Sequence, residues 1–208
     1  MRLLFLAPAP PSDRHGGGAL RMLHLVRFLG KRFEVDLVAP ALEGQQEAER
    51  LLGGICAEMI ARAGVGKMTI VDGDVVDPTN RNRQLPALST NHGQPKVSIM
   101  AERLSAINPE LELDIVQEFV NPDMVQTQLA KRPDFVIDAI DSITPKITFI
   151  RGAFGHGIPL VSSMGAGAKL DPTQLRVVDI SKTYNCPFAQ QIRKNLRDHG
   201  IVRGIPVV

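Results

Sequence analysis

The chain has 208 residues, with 24 Lys and Arg against 22 Asp and Glu, and only two cysteines. The balanced charge excludes a global basic field of the kind that attracts nucleic acid, and two cysteines exclude a disulfide framework or a four-cysteine zinc site. No apolar run approaches the 18 residues of a membrane-spanning helix, so we expect a soluble, cytoplasmic protein. The length fits one large domain, and we predict a single α/β domain over residues 1–208.

Short apolar segments rich in Val, Ile and Leu alternate with helix-period segments along the chain. This alternation is typical of βα units and a mostly parallel sheet. We therefore predict a three-layer, Rossmann-like α/β fold with helices on both faces of the sheet. The predicted strands are Leu3–Ala7, Glu34–Ala39, Lys67–Asp72, Leu111–Val116, Phe135–Ala139, Pro159–Ser163 and Leu175–Asp179.

Apolar residues recur at three- and four-residue steps in two segments, so each is predicted to be a helix with one buried stripe. The stripes are Leu51, Ile55, Met59 and Ala63 in the first segment, and Val97, Met100, Leu104 and Ile107 in the second. Glycines at 64 and 66 are expected to end the first helix. Asn-Pro at 121–122 and Thr-Pro at 144–145 are the start signals of two further helices.

The first 50 residues differ in texture from the rest. Their strand, Pro/Gly-rich loop, helix and strand resemble the opening βαβ unit of two-lobe glycosyltransferases, in which a loop like HGGGA lies near the sugar-nucleotide site. The alternative is that Gly16–Gly18 only make a tight turn into a helix whose N-terminus could attract an anion. A glycosyltransferase fragment is disfavoured because no second lobe follows.

Polar side chains are concentrated in IVDGDVVDPTNRNRQLPALSTNHGQPK at 70–96 and in DFVIDAIDS at 134–142. Asp72 ends one predicted strand, Asp74 follows it, and Asp141 follows another. Ligands of open α/β sheets bind at the edge where the parallel strands end. An ATP-adenylating site needs this inventory: a carboxylate for ribose hydroxyls, cations for phosphate oxygens and a carboxylate for Mg²⁺. Taken singly, each residue could also be a turn former, a surface cation or a solvated helix residue.

From about Gly53 to Val208 the chain resembles the superfamily that activates ubiquitin-like carriers, the ThiF/MoeB/HesA group. The motifs, in order, are ARAGVGKMTIVDGD, NRNRQ, GQPK, INP, VIDAIDS, PLVSSMGAGAKLDPTQ and RKNLRDHGI. Within this superfamily, NRNRQLPAL, the ending AIDS and GAGAKLDPTQLRVVDISKT resemble the tRNA threonylcarbamoyladenosine dehydratase family. In that family ATP activates the carboxylate of threonylcarbamoyladenosine at tRNA position 37, and an amide nitrogen then closes a ring.

The resemblance implies ATP and Mg²⁺ as cofactors and a role for each matching residue. Asp72, with Asp74 beside it, would accept hydrogen bonds from ribose hydroxyls, and Asp141 would hold Mg²⁺. The residues implied to meet the nucleotide are Gly53, Gly54, Asp72, Asp74, Asn80, Arg83, Gln84 and Lys96. The residues implied in catalysis are Arg83, Lys96 and Asp141.

The resemblance also implies tRNA as a partner and leaves a homodimer open. The residues that would face tRNA are Lys182, Arg193, Lys194 and Arg197. The ordinary interpretation of this basic run is a solvated helix face. An acidic residue often stands in the family where this chain has Cys186.

One part of the family's site is replaced. Family members carry a glycine-rich G-x-G-G-x-G loop before the helix matched here by ICAEMIARAG, whereas this chain has ALEGQQEAERLL. Gln45–Leu52 is predicted to be helical and to extend the following helix backward by about two turns. Phosphates need bare backbone amides at a helix N-terminus, so we expect weak ATP binding and impaired activity.

The strand Glu34–Ala39 would fill the place of the family's first strand. We predict that it is a parallel neighbour of Lys67–Asp72, joined to it by a right-handed crossover. The alternative function is that of a recombined or engineered chimeric α/β scaffold without catalytic activity, since a grafted βαβ unit can complete a sheet without rebuilding the phosphate loop.

Overall fold

The structure is a computed structural model and describes residues 34–38, 49–82, 84–165 and 176–208. The predicted strand Leu3–Ala7, the glycine loop at Gly16–Gly18, the helical extension over 45–48 and the site residue Arg83 lie outside these residues. So do residues 166–175, which include the start of the last predicted strand.

Strands and helices alternate along the described chain from Glu34 to Ser162. In chain order they are β1 (Glu34–Val38), α1 (Glu49–Arg62), β2 (Lys67–Val71), a 3₁₀ turn (Pro78–Asn80), α2 (Lys96–Ile107), β3 (Glu112–Val116), α3 (Pro122–Ala130), β4 (Val136–Asp138), α4 (Ile143–Gly155), β5 (Leu160–Ser162), β6 (Val178–Asp179), a 3₁₀ turn (Ile180–Lys182), α5 (Pro187–Asp198) and β7 (Pro206–Val207). None of the helices in the described part of the chain is long and apolar enough to cross a membrane.

The strands form one sheet in the order β3-β2-β1-β4-β5-β7-β6. Its first five strands are parallel, whereas β6 and β7 pair antiparallel at one side. Glu34 on β1 aligns with Lys67 on β2, and the register continues to Val38 opposite Val71. The prediction that these two strands are parallel neighbours is therefore confirmed, and so is the α/β, Rossmann-like class.

Two apolar cores cover the two faces of the sheet. Ile70 and Ile137 belong to the core under α1 and α2, whereas the next residue on β2, Val71, and the preceding residue on β4, Val136, belong to the core under α3, α4 and α5. Successive residues of a strand point to opposite faces, so this alternation places helices on both sides, as predicted.

The helix predictions are accurate in position and less accurate in the face they bury. In α2 the expected stripe is buried at Val97, Met100 and Leu104. In α1 the predicted residues Ile55 and Met59 are only half-buried. The most buried positions there are Cys56, Ala57, Ile60 and Ala61, of which all but Ile60 have small side chains. Small residues allow a helix to lie close to its neighbours, and a search for large apolar side chains misses them.

Most predicted helix ends are confirmed. Gly64 follows α1 with a φ of 81°, a conformation that suits glycine. The Asn121 side chain caps α3 by accepting from the Met124 amide at 2.9 Å. The start of α4 was predicted at Thr144-Pro145, but the helix begins at Ile143. A proline in the first turn is tolerated because the first amides of a helix have no partner within it.

Candidate functional site

The order of the strands reverses between β1 and β4, since β2 and β3 continue on one side and β5 on the other. A crevice forms at such a reversal, outside the carboxyl ends of the strands, and ligands of open α/β sheets bind there. We call this side of the molecule the carboxyl edge. The loops that follow β2 and β4 flank the end of β1 at this edge, so Asp72 and Asp141 lie on its two sides.

The loop after β2 is held in one conformation by its own backbone. The Asp72 side chain accepts a hydrogen bond from the Asp74 amide at 2.9 Å. A side chain at Gly73 would lie 2.7 Å from the Phe119 backbone nitrogen, which is closer than a Cβ atom can approach. Glycine at this position therefore allows the loop after β2 to pack against the loop after β3, with Asp72 at the rim.

Asp74 and Lys96 join this loop to the start of α2. The Lys96 ammonium lies 2.7 Å from the Asp74 carboxylate, and the side chains are 5% and 27% exposed. The Lys96 amide also donates to the Asp74 carbonyl at 3.0 Å, and an antiparallel bridge pairs Val75 with Pro95. The arrangement holds a cation beneath the carboxyl edge, with a partner that solvent or a ligand can reach.

Asn80 and Gln84 lie in the segment between β2 and α2. The Asn80 side chain accepts from the Asp77 amide at 3.1 Å, and Asp77 accepts from the Thr79 amide at 2.8 Å, which closes a capping box around the 3₁₀ turn. The hydrogen bond from the Thr79 hydroxyl lowers the pKa of Asp77 below its usual range. Gln84 is buried and its amide donates to the Asn80 carbonyl at 2.8 Å. Asn80 therefore has a structural role in this turn.

Three buried polar atoms at the carboxyl edge have no hydrogen-bond partner among the described residues. They are Gln84 Oε1, Ser142 Oγ and Ser163 Oγ, on the segments that follow β2, β4 and β5. Buried polar groups are nearly always paired, so these atoms suit a polar ligand in the crevice. The donors and acceptors present therefore fit a nucleotide at this edge.

The described residues offer few ligands for a metal ion. No group of three or more His, Cys, Asp or Glu that could hold a metal occurs within the described residues. Asp141 is half-buried in the loop between β4 and α4. Mg²⁺ in phosphate sites uses one or two carboxylates, phosphate oxygens and water, and a single carboxylate such as Asp141 is sufficient for that arrangement.

The predicted glycines lie in a different setting. Gly53 and Gly54 are the fifth and sixth residues of α1, past the first four amides that lack a partner within a helix. Gly54 faces the Leu85 and Met100 side chains, at 3.6 and 3.7 Å from a Cβ built there. Their placement gives no exposed amide for a phosphate, and their assignment to cofactor binding stays a prediction.

Sequence reasoning missed a second lysine–aspartate pair at the same edge. Asp138 ends β4 and Lys146 lies in the second turn of α4, with 2.9 Å between ammonium and carboxylate, and both side chains are fully buried. The signal was present in VIDAIDS and ITPKITFI, where each charged residue stands in an otherwise apolar segment. Charged residues are almost never fully buried unless they are paired.

The residues implied to face tRNA divide into two kinds. Lys182, Lys194 and Arg197 are exposed. Arg193 is half-buried and donates to the Thr183 carbonyl at 3.0 Å, so it ties α5 to the preceding 3₁₀ turn. Cys186 caps α5, with its sulfur accepting from the Ala189 amide at 3.3 Å.

An apolar groove lies away from this chemistry. Its volume is about 530 Å³, and it lies beside the first residues of β4 and β5, with no titratable side chain in its lining. The lining includes Phe135, Phe154, Val177 and Pro206. We place the candidate site at the carboxyl edge because the charged and unpaired polar groups are there.

The strand order and the crevice at its reversal define an α/β protein of the Rossmann-like class. The sequence profile of the ThiF family matches residues 51–207. The chain belongs to the ThiF family, and the resemblance carried by its motifs is confirmed.

Relatives within this family share a name. The chain is 44% identical over 157 residues to the tRNA threonylcarbamoyladenosine dehydratase of Bacillus subtilis (strain 168), which covers 76% of this chain and 62% of that protein. It is 44% identical over 153 residues to the enzyme of the same name from Escherichia coli (strain K12), with 73% and 57% covered. The chain thus spans about six-tenths of the length of these curated relatives.

Solved structures are similar over a larger share. The E. coli dehydratase TcdA in complex with ATP has a TM-score of 0.78 and 35% identity, covering 96% of this chain and 83% of that one. Its complex with AMP has a TM-score of 0.77 and 35% identity, with 96% and 82% covered. Homologous structures of this fold therefore bind both nucleotides, whereas the resemblance of residues 1–50 to glycosyltransferases stays a prediction.

Proposed function

We propose that the chain is an adenylating-type protein that resembles tRNA threonylcarbamoyladenosine dehydratase, with weak affinity for ATP because its phosphate loop is replaced. The observation that carries the proposal is the Lys96–Asp74 pair beside Asp72 at the carboxyl edge, at 2.7 Å between ammonium and carboxylate. The ATP and AMP complexes of a relative with the same fold support it.

The nucleoside end of the site uses the loop after β2. A carboxylate accepts hydrogen bonds from two hydroxyls, so Asp72 would hold the ribose. The close packing of Gly73 against Phe119 in the loop after β3 would help to hold the neighbouring Asp72 in place. Asp74 would support this side of the site and would also balance the charge of Lys96 in the absence of phosphate.

The outer phosphates would meet Lys96, Gln84 and Arg83. An ammonium close to a partly exposed carboxylate can exchange that partner for a phosphate oxygen, because both are anionic acceptors. The side-chain nitrogen of Gln84 would donate to a phosphate oxygen, whereas its unpaired side-chain oxygen needs a donor, which would be a hydroxyl or a water molecule at the nucleotide. Asn80 would meet the phosphates through its side-chain amide. Asp141, across the end of β1, would hold Mg²⁺ with phosphate oxygens.

The weakness of binding follows from α1. Gly53 and Gly54 lie inside the helix, where backbone amides donate to carbonyls four residues earlier. The residues that would cradle the phosphates in the family are thus without a counterpart in α1. Removing even one preorganised donor can cost roughly 10²–10³ in rate, and here several are replaced together.

The reaction proposed for the family's site is activation of a carboxylate followed by ring closure. The carboxylate oxygen of threonylcarbamoyladenosine attacks the α-phosphorus of ATP, pyrophosphate leaves, and an amide nitrogen then displaces AMP to close the ring. Lys96 would stabilise negative charge as pyrophosphate departs. The exposed residues Lys182, Lys194 and Arg197 would contact the tRNA backbone.

Nucleotide binding tests the first half of the proposal. We expect a Kd for ATP with Mg²⁺ at or above the order of 1 mM, about −4 kcal/mol, measured by calorimetry at high protein concentration. Asp72→Ala should remove the residual binding, with Arg151→Ala on the outside of α4 as a matched control. A micromolar Kd that disappears in Asp72→Ala would show that another segment has rebuilt the phosphate loop.

Turnover separates an enzyme from the alternative, an α/β scaffold without catalytic activity. The protein is incubated with tRNA, ATP and Mg²⁺, and mass spectrometry of the digested nucleosides detects the cyclic product. We expect no cyclisation at multiple turnovers, since the amides that orient the phosphate chain are replaced. Cyclic product that forms over multiple turnovers and is lost in Lys96→Ala would exclude the inactive scaffold and would show that the protein is an active dehydratase.

A further inference from the structure

Lys146 and Asp138 form an ion pair that solvent does not reach. Both side chains are 0% exposed, and 2.9 Å separates the Lys146 Nζ atom from Asp138 Oδ2. Replacing a buried ion pair with apolar residues of similar size is often neutral or stabilising. Stability alone is therefore a poor explanation for this pair, and its burial prevents direct contact with a ligand in the crevice.

Both members of the pair hold the same residue. The Ile140 amide donates to Asp138 Oδ1 at 2.9 Å, and Lys146 Nζ donates to the Ile140 carbonyl at 2.8 Å. Both backbone polar groups of Ile140 are thus fixed by side chains. Ile140 directly precedes Asp141, so rotation about its backbone would change the direction in which Asp141 leaves the sheet.

Two further elements hold the pair in place. The Ser162 hydroxyl at the end of β5 donates to Asp138 Oδ2 at 2.6 Å. The Lys146 ammonium also lies 5.6 Å from the centre of the Phe188 ring on α5, within the range of a cation–π contact. Residues of β4, α4, β5 and α5 therefore meet around the ion pair, and we expect these contacts to restrict its movement.

We propose that Lys146 and Asp138 are positioning residues, which fix the Ile140 peptide so that the Asp141 carboxylate is directed at the Mg²⁺ of the bound nucleotide. The proposal rests on the proposed function, because it assigns Asp141 to the metal. Groups that orient a metal ligand without touching the metal typically change metal affinity by about 10–100-fold. Neither residue touches the nucleotide.

The test compares two variants of the same buried cluster. Lys146→Met with Asp138→Asn is uncharged and similar in size; it removes the donor to the Ile140 carbonyl, whereas Asn can still accept from the Ile140 amide. Ser162→Ala is the matched control, since it removes a hydrogen bond from Asp138 and leaves both bonds to Ile140. A merely structural role would give the two variants the same effect on nucleotide binding.

Titration of ATP with and without Mg²⁺, followed by ³¹P NMR, suits a millimolar Kd. Mg²⁺ should raise the ATP affinity of the starting protein, and we expect this increase to be about 10-fold smaller in the double variant. The ATP affinity without Mg²⁺ should stay within about 2-fold of that of the starting protein. Ser162→Ala should keep the enhancement. A double variant that retains the full enhancement would overturn the proposal.

Hydrogen exchange of the ligand-free protein tests the positioning independently. If the starting protein shows no Mg²⁺-dependent ATP binding, the proposed function fails. Hydrogen exchange over residues 139–142 still tests whether Lys146 and Asp138 fix the Ile140 peptide. We expect exchange there to be about 10-fold faster in the double variant than in Ser162→Ala, because local opening loses its main restraint. Equal exchange would overturn the proposal; if the double variant does not fold, the comparison is made with Lys146→Leu in the Asp138→Asn background, which likewise removes the donor to the Ile140 carbonyl.

Discussion

The two lysine–aspartate pairs at the carboxyl edge have the same chemistry, but only the first includes a partly exposed side chain. Lys96 and Asp74 are 5% and 27% exposed, whereas Lys146 and Asp138 are fully buried. The exposed partner in the first pair can be replaced by water or by an anionic ligand. Water or a ligand cannot replace either member of the second pair, because both are fully buried. This pair can therefore act only through the Ile140 backbone groups to which it is hydrogen-bonded. Position relative to the crevice, not residue type, separates a binding group from a positioning group.

The largest expected effect is on stability, and it separates the two pairs directly. Lys146→Met leaves the Asp138 carboxylate buried and uncompensated, so we expect a loss of about 3–5 kcal/mol in the free energy of unfolding. Lys96→Met leaves Asp74 able to bind water, and we expect a loss of about 1–2 kcal/mol. Urea unfolding followed by circular dichroism measures both. Equal losses would contradict the assignment of one pair to the interior and the other to the rim.

A third charged group provides a reference away from the carboxyl edge. Glu58 on α1 accepts from Arg62 Nη2 and from Arg103 Nε, each at 2.6 Å. Burial raises the pKa of Glu58, but the hydrogen bonds from the two arginines outweigh burial, so the pKa lies below the ordinary 4.5. The folded state therefore holds the proton less tightly than the unfolded state, and the stabilisation is present above pH 4.5.

We expect Glu58→Gln to lower the free energy of unfolding by about 1–3 kcal/mol at pH 7, the range of hydrogen bonds to charged groups. The loss should shrink as the pH falls below 4.5 through the lowered pKa, since Glu58 is then protonated in both states. Unfolding curves at pH 7 and at successively lower pH measure it. ATP affinity should not change, and a parallel loss of affinity would mean that the α1–α2 contact shapes the site.

The sequence predicts the structural features that depend on local patterns better than the contacts between residues far apart in the chain. Apolar patterning predicted the strands β1 and β2, their parallel pairing was predicted from the place of the family's first strand, and the cap at Asn121 followed from a local motif. The 2.7 Å contact of Lys96 with Asp74 joins residues 22 apart, and only the family motif placed both near ATP. The buried pair of Asp138 with Lys146 was missed, because a pattern of polar residues does not reveal which of them the packing will enclose.

The smallest expected effect tests the replaced phosphate loop. Gly54 lies inside α1, where glycine is about 0.5–1 kcal/mol less favourable than alanine. A Cβ there would be 3.6 Å from Leu85 Cβ and 3.7 Å from Met100 Sδ, which is ordinary van der Waals contact. We therefore expect Gly54→Ala to raise the free energy of unfolding by about 0.5–1 kcal/mol and to leave ATP affinity unchanged, as measured by urea unfolding and calorimetry. A phosphate-binding glycine needs its backbone bare, so a variant that gains stability and loses ATP affinity would return Gly54 to the nucleotide site, whereas a loss of stability would contradict its placement within the helix.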